Sequence, residues 1–320
     1  MAVTRGAAPA AGPDQRSRRS RGRGPGARPG HPFGRTFTRI LPLAPAVVLL
    51  GLFMAGPVVW SFYGSFTDAA LTGAAAREST WVGLDNYTGL FSDPNFPKSV
   101  WLTIVFVVAS AIVGQNILGL ALAMLMRSAN RVVRSVVGTL VVTAWVLPEI
   151  VAAFAAYAFF HADGTLNNVF GLVGLDGTNW LYDLPMLAVI LANVWRGTAF
   201  SMMVYSAALT AVPPDVTEAA TMDGASGPKR LVYITLPMIR RSISTNFMLT
   251  TLQTLSVFTL IYVMTAGGPG TDSSTLPILA YQEAFSFGRV GYGTAIATIM
   301  LLIGAVFSVI YIRMLKPEVD

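Results

Sequence analysis

The chain has 320 residues, 53% of them hydrophobic and only 12% charged. Soluble domains carry roughly 25% charged residues to coat a water-facing surface, so an ordinary soluble globular enzyme is excluded. There is no cysteine and there are only two histidines, His31 and His161. That removes disulfides, thiolate nucleophiles and cysteine-ligated metal centres, and leaves little for a histidine-based site. The net charge of +6 admits a nucleic-acid binder only until the basic residues are located.

Residues 1–39 hold nine arginines among Gly, Pro and Ala. They form an expected disordered cytoplasmic tail, because the composition offers no apolar core. The run Arg16–Arg28 has the charge to meet RNA or anionic lipid, but a disordered tail that enforces orientation is the favoured reading. A membrane-spanning helix needs about 20 mostly apolar residues. Six blocks reach that length: Ile40–Phe66, Val100–Met126, Val136–Phe160, Pro185–Ala211, Ile243–Ala266 and Tyr292–Leu315. The first exceeds the roughly 7–15 residues of a signal-peptide core and is expected to be retained. Prolines within the blocks, such as Pro57 and Pro148, are tolerated in membrane helices where neighbours satisfy the freed backbone. The expected fold is all-α, with a six-helix membrane domain over residues 40–316 and a short cytoplasmic end, 317–320.

Lys and Arg accumulate on the cytoplasmic side of membrane proteins. With both termini inside, 18 of the 22 basic residues fall in cytoplasmic segments. Arg77, Lys98 and Arg289 fall outside, and Arg196 lies within a span. The positive charge is thus topological, and nucleic acid drops out as an expected partner.

The outward segments Thr67–Ser99, His161–Leu184 and Gly267–Gly291 are rich in Gly, Asp, Asn and Pro with interspersed aromatics. They are expected to be caps and short interfacial helices at headgroup level. His161 beside Asp163 is assigned to a solvated loop rather than to catalysis, since no positioned nucleophile or metal set accompanies it. On the inside, Val212–Ser242 is strongly patterned. Pro213-Pro214-Asp215 stops one helix and starts another. Val216–Asp223 follows as a short helix, and Gly224 supplies the left-handed stop. A second amphipathic stretch, Pro228–Leu236, leads to Pro237. Two short helices held at a sharp angle make a rigid projection.

A charged residue inside a span costs about 2.5–3.5 kcal/mol on insertion scales. Glu149 and Arg196 each lie 11 residues from the outer end of their blocks, roughly 16 Å deep at 1.5 Å per residue. They are expected to pair or to share one polar cavity. Asn193, Gln253, Ser256 and Tyr262 are further pathway candidates, with interhelical hydrogen bonding the favoured role for any single one.

Glu218-Ala219-Ala220, three residues, then Gly224-Ala225, followed by Ile234-Thr235-Leu236-Pro237, resembles the EAA loop of ATP-binding-cassette importer permeases. Asp223 before Gly224 is similar to the carbohydrate-uptake branch. Val82–Tyr87, Leu147-Pro148, Asn193–Arg196 and Gly267-Gly268-Pro269 extend the resemblance to the maltose and glycerol-phosphate permease group from about Leu41 to Leu315. One departure is Arg241, where the family often carries a second proline. Thr67–Ser99 is also too short for the large extracytoplasmic insertion of some maltose permeases.

The resemblance implies a type I importer permease fold in the bacterial inner membrane. It implies a coupling helix of Glu218, Ala219, Ala220, Asp223, Gly224 and Ala225 that docks on a separate ATPase. The implied partners are two such ATPase subunits, a second homologous permease, an extracytoplasmic solute-binding protein and the lipid bilayer. ATP and Mg would be bound by the ATPase, with no cofactor on this chain. In keeping with this, none of the three lysines, Lys98, Lys229 and Lys316, lies in the Gly-rich setting of a phosphate loop. The rival expectation is an ion-coupled secondary transporter using Glu149 as proton carrier.

Overall fold

The computed structural model describes residues 43–315, and the Arg-rich tail and residues 316–320 lie outside that range. The chain divides into two compact units, residues 1–54 and 55–320. In the first, the described residues are helical and half-buried or exposed throughout. The rest of this description concerns the second. Apart from one isolated bridge between Thr67 and Trp81, the described residues form helices, turns and loops.

Among the described residues, four helices are long and apolar enough to cross a membrane: α1 (Ala44–Gly64), α3 (Asn95–Ser128), α8 (Pro185–Thr210) and α14 (Val290–Leu315). The short α2 (Asp85–Ser92) precedes α3. A wide π-type stretch over Val107–Gln115 interrupts the regular winding of α3 and re-aims its buried face.

The third and fifth apolar blocks are not single rods. The third is α4 (Arg131–Val146) followed by α5 (Glu149–Phe160), and the axis turns by 110° between Arg131–Val146 and the helical stretch Glu149–Leu172. Leu147 adopts φ −56°, ψ 136°, the extended conformation that proline imposes on the residue before it. This corrects the expectation of one continuous span over Val136–Phe160, and with it the depth assigned to Glu149 by counting along a straight helix. The fifth block is α11 (Arg240–Leu255) and α12 (Thr259–Thr265), bent by 48°.

Short helices occupy the connections: α6 (Thr165–Leu172), α7 (Trp180–Asp183), α9 (Pro214–Met222), α10 (Gly227–Arg230) and α13 (Leu276–Tyr281). α13 lies in a segment expected to hold caps and short interfacial helices, but it is not interfacial: Leu276, Ile278 and Leu279 are buried in the core. It joins Leu90 of α2, Phe96 of α3 and Ile296 of α14 in one apolar cluster.

α3 and α8 form the central pair. Their approach depends on glycine. A Cβ on Gly119 would lie 2.4 Å from the Cβ of Ser201, and one on Gly114 would lie 2.3 Å from a methyl of Val194. Small residues let membrane helices pack backbone to backbone where no hydrophobic drive exists. Apolar clusters lie on either side of this contact. One joins Phe106, Ala153, Ala192 and Ile261, and the other joins Ala123, Met202, Tyr205 and Leu209.

Candidate functional site

A polar seam runs between α3, α8 and α11. The Asn116 side-chain nitrogen donates to the Ala111 carbonyl at 2.6 Å. Its oxygen accepts from Asn246 Nδ2 at 2.8 Å and from the Tyr205 hydroxyl. Asn246 also donates to Ser201 Oγ at 2.9 Å. Further along, Asn193 Nδ2 donates to Ser110 Oγ at 2.9 Å and Thr254 Oγ1 at 3.4 Å. The Asn193 carbonyl accepts from Gln115 Nε2 at 3.1 Å. Asn116, Asn193, Ser201 and Asn246 are all buried, where an unpaired polar group is costly and a cross-helix bond fixes register. Sequence reasoning singled out Asn193 but missed Gln115, Asn116, Ser201, Tyr205 and Asn246. The available signal was an amide within an apolar block.

The seam opens into a cavity of about 370 Å³ lined by Gln115, Trp145, Glu149, Asn193, Arg196, Gln253 and Ser256, among others. Five of the six sequence-selected pathway residues therefore converge on one space. Glu149 reaches it as the first residue of α5, where the positive end of the helix dipole favours a carboxylate. No ion pair within 4.0 Å joins Glu149 to Arg196 among the described residues, so both face the cavity without neutralising each other by contact. Arg196 Nε is buried and has no hydrogen-bond partner among them. Ser256 caps α11 by donating to the Gln253 carbonyl at 3.0 Å. Trp145, which sequence reasoning did not select, stacks on Phe200 with ring centroids 5.9 Å apart. The sixth candidate, Tyr262, is elsewhere. It stacks on Phe258 at 5.2 Å and meets Tyr281 edge-on at 5.2 Å. A carboxylate, a guanidinium, side-chain amides, a hydroxyl and an indole together suit a polyhydroxylated ligand. They offer donors, acceptors and a flat apolar face.

The second assembly of candidates is α9. Pro213 is extended at ψ 133° and Pro214 opens the helix, where its missing N–H costs nothing. Asp215 sits in the first turn and complements the dipole. The far end closes with paired bonds: Ala225 N–H to the Ala220 carbonyl and Gly224 N–H to the Thr221 carbonyl, both 3.0 Å. Gly224 has φ +77°, which completes a Schellman stop. Glu218, Ala219, Asp223 and Gly224 are exposed, Ala225 is half-buried and Ala220 is buried. The two alanines thus differ, with Ala219 facing outward and Ala220 packing into the protein. Met222, 88% exposed, adds an apolar side chain to this outward surface that the sequence reading did not select.

Polar ties hold the connecting loops. Lys98 Nζ lies 2.7 Å from Asp272 Oδ1, and Arg289 pairs with Glu283. Glu283 is buried, and loss of solvent raises its pKa while the Arg289 charge opposes the rise. Asp68 accepts from the Thr80 N–H at 2.5 Å and the Thr80 hydroxyl at 2.8 Å, and these bonds lower its pKa. His161 accepts at Nδ1 from the Asp163 N–H at 3.3 Å, a local turn contact.

Residues 115–320 match the family model described as binding-protein-dependent transport system inner membrane component. The sulfoquinovosyl glycerol transport system permease protein SmoG of Agrobacterium fabrum is 32% identical, over 89% of this chain and 92% of its own length. The trehalose/maltose transport system permease protein MalF of Thermococcus litoralis is 31% identical, over 87% and 92% respectively. A bacterial ABC transporter involved in import of the acidic polysaccharide alginate shares the fold at TM-score 0.75. It is 21% identical, with 90% of this chain and 98% of that chain covered. The first two of these relatives are transport system permease proteins. The chain belongs to the family of binding-protein-dependent transport system inner membrane components, a multi-pass membrane group whose members here include permeases of carbohydrate ABC importers.

Proposed function

We propose that this chain is the transmembrane permease subunit of an ATP-driven carbohydrate importer in a bacterial cytoplasmic membrane. The observation that carries the reading is α9, a stiff, proline-started and glycine-stopped helix whose Glu218, Ala219 and Asp223 stand exposed. Such a helix is suited to dock in a groove on a separate ATPase subunit, with Glu218 meeting a basic residue there. ATP and Mg belong to that subunit. The cavity of Glu149, Asn193, Arg196, Gln253 and Ser256 is the segment of the pathway contributed by this half, and a second, homologous permease completes it. An extracytoplasmic binding protein delivers the sugar. The neighbouring alginate importer has been solved in complex with an alginate pentasaccharide-bound periplasmic protein, which supports that partner.

In this reading each bent pair counts as one crossing, giving six spans with both termini inside. The basic residues of the inward segments support that orientation. Residues 1–39 and 317–320 are then cytoplasmic tails, and 212–242 is the coupling loop. Closure of the ATPase dimer on ATP moves α9, and the motion passes through residues 227–238 into α11. Because α11 ends beside the cavity at Ser256, a tilt of this helix changes the cavity directly. Hydrolysis resets it. An ion-coupled carrier using Glu149 would leave the exposed lever without a task.

The test is uptake into vesicles reconstituted with the permease pair, ATPase and binding protein. ATP-dependent, vanadate-sensitive uptake is expected. Uptake driven by a proton gradient without ATP overturns the proposal. A ligand screen on the binding protein identifies the sugar.

A further inference from the structure

A second cavity, of about 520 Å³, lies between the end of α3, α4 and the end of α8. Its chemistry is divided. Arg127, Arg134, Ser206 and Thr210 supply a polar part, while Met126, Met203 and other apolar residues line the remainder. No acidic residue lines it among the described residues.

The two arginines are held differently. Arg134 donates from Nε to the Met126 carbonyl at 2.9 Å, and from Nη2 to the Arg127 and Ala129 carbonyls, both at 3.3 Å. These bonds close the carbonyl end of α3 and fix the guanidinium in place without neutralising it. Arg127 forms no ion pair among the described residues. Two exposed arginines beside an apolar pocket, with no acidic residue among the described residues that line it, suit an anion that also carries hydrocarbon. α4 lines the cavity with Arg134 and Gly138 and carries Val136 (53% exposed) and Leu140 (66% exposed) on its other face, so the helix that walls the cavity is apolar on its outer side.

We propose that this cavity binds one anionic phospholipid. Its phosphate lies between Arg127 and Arg134, and the upper part of its chains lies against Met126 and Met203. Basic pockets between membrane helices take anionic headgroups in this way. A free phosphate would use the arginines alone and gain nothing from the methionines. The site is separate from the Glu149–Arg196 cavity and does not depend on which sugar is carried.

The test uses the full-length protein in nanodiscs of equimolar phosphatidylglycerol and phosphatidylcholine, with released complexes analysed by native mass spectrometry. One phosphatidylglycerol is expected to be retained in preference to phosphatidylcholine. Arg127→Gln is expected to lower that preference about fivefold, the scale of one basic contact near a membrane surface, while Arg127→Lys preserves it. Among the described residues the Arg127 side chain makes no hydrogen bond, so both variants should assemble normally. Met203→Trp, which narrows the apolar part and leaves both charges, should also reduce retention. Equal retention of the two lipids, or unchanged retention in Arg127→Gln, overturns the proposal. Displacement of the lipid by inorganic phosphate, with no effect of Met203→Trp, assigns the site to a free anion and overturns it as well.

Discussion

At the residue scale, the structure separates glycines that are required from those that are not. Gly119 has no room for a side chain, because the obstacles include the backbone of Ser201 and Met202 at 3.0 Å. A Cβ added to Gly138 would meet nothing within 4 Å. Gly119→Leu should therefore destabilise the protein by about 1–3 kcal/mol, the usual cost of overpacking, and Gly138→Leu should be near neutral. Thermal melting followed by size-exclusion recovery in detergent measures both. Charges behave as individually. The Asp68 carboxyl is lowered by its two bonds from Thr80. Its contribution is thus present above the unfolded value, roughly 3.9, and fades as pH falls through the folded one. Asp68→Asn should flatten the acid limb of a melting-temperature profile and Thr80→Val should do the same. Glu283 has the opposite sign. Its raised pKa makes its net contribution largest where it is protonated and smaller as pH rises through the folded value.

At the scale of elements, α9 was legible and the break in the third block was not. Pro213, Pro214, Asp215 and Gly224 are local signals, and each acts on the backbone within one turn of itself. Gly224 at φ +77° is the most demanding of them. Gly224→Val should cost about 1–2 kcal/mol in that conformation and fray the end of the helix that carries Glu218. Assembly of the permease pair should survive while ATP-dependent uptake falls, which co-purification and vesicle uptake distinguish. Leu147-Pro148 was visible in the sequence too. A proline in an apolar block, however, is compatible with a slight kink or with a turn of 110°, and neighbouring helices choose between them. α13 shows the converse limit. Six residues, Leu276–Tyr281, are too few for hydropathy to signal, so a core helix resembles an apolar loop until its neighbours are known.

At the scale of the molecule, the cavity brings together residues from α3, α4, α5, α8 and α11. Glu149 and Arg196 meet there although α4 and α5 do not form a straight rod. The expected depth of Glu149 rested on a geometry the chain does not adopt, and the convergence arises from the bend. Glu149→Gln should leave the assembled complex intact, since Glu149 forms no ion pair among the described residues. It should reduce uptake about ten- to a hundredfold, the effect of losing one charge-assisted hydrogen bond of about 1.5–3 kcal/mol. Loss of assembly in that variant would instead give Glu149 a structural role.

The sequence by itself determined what depends on composition and on neighbours in the chain. Long apolar blocks must leave water, basic residues mark one side of them, and a proline-to-glycine segment makes a capped helix. These are properties of a stretch of chain and hold wherever that stretch is placed. The tertiary structure alone decided where the blocks bend, that a short loop helix belongs to the core, and which polar residues share a space. It also decided that Ala220 packs inward beside an outward Ala219. Each of these depends on the distance between residues far apart in sequence, and that distance is set by helix packing.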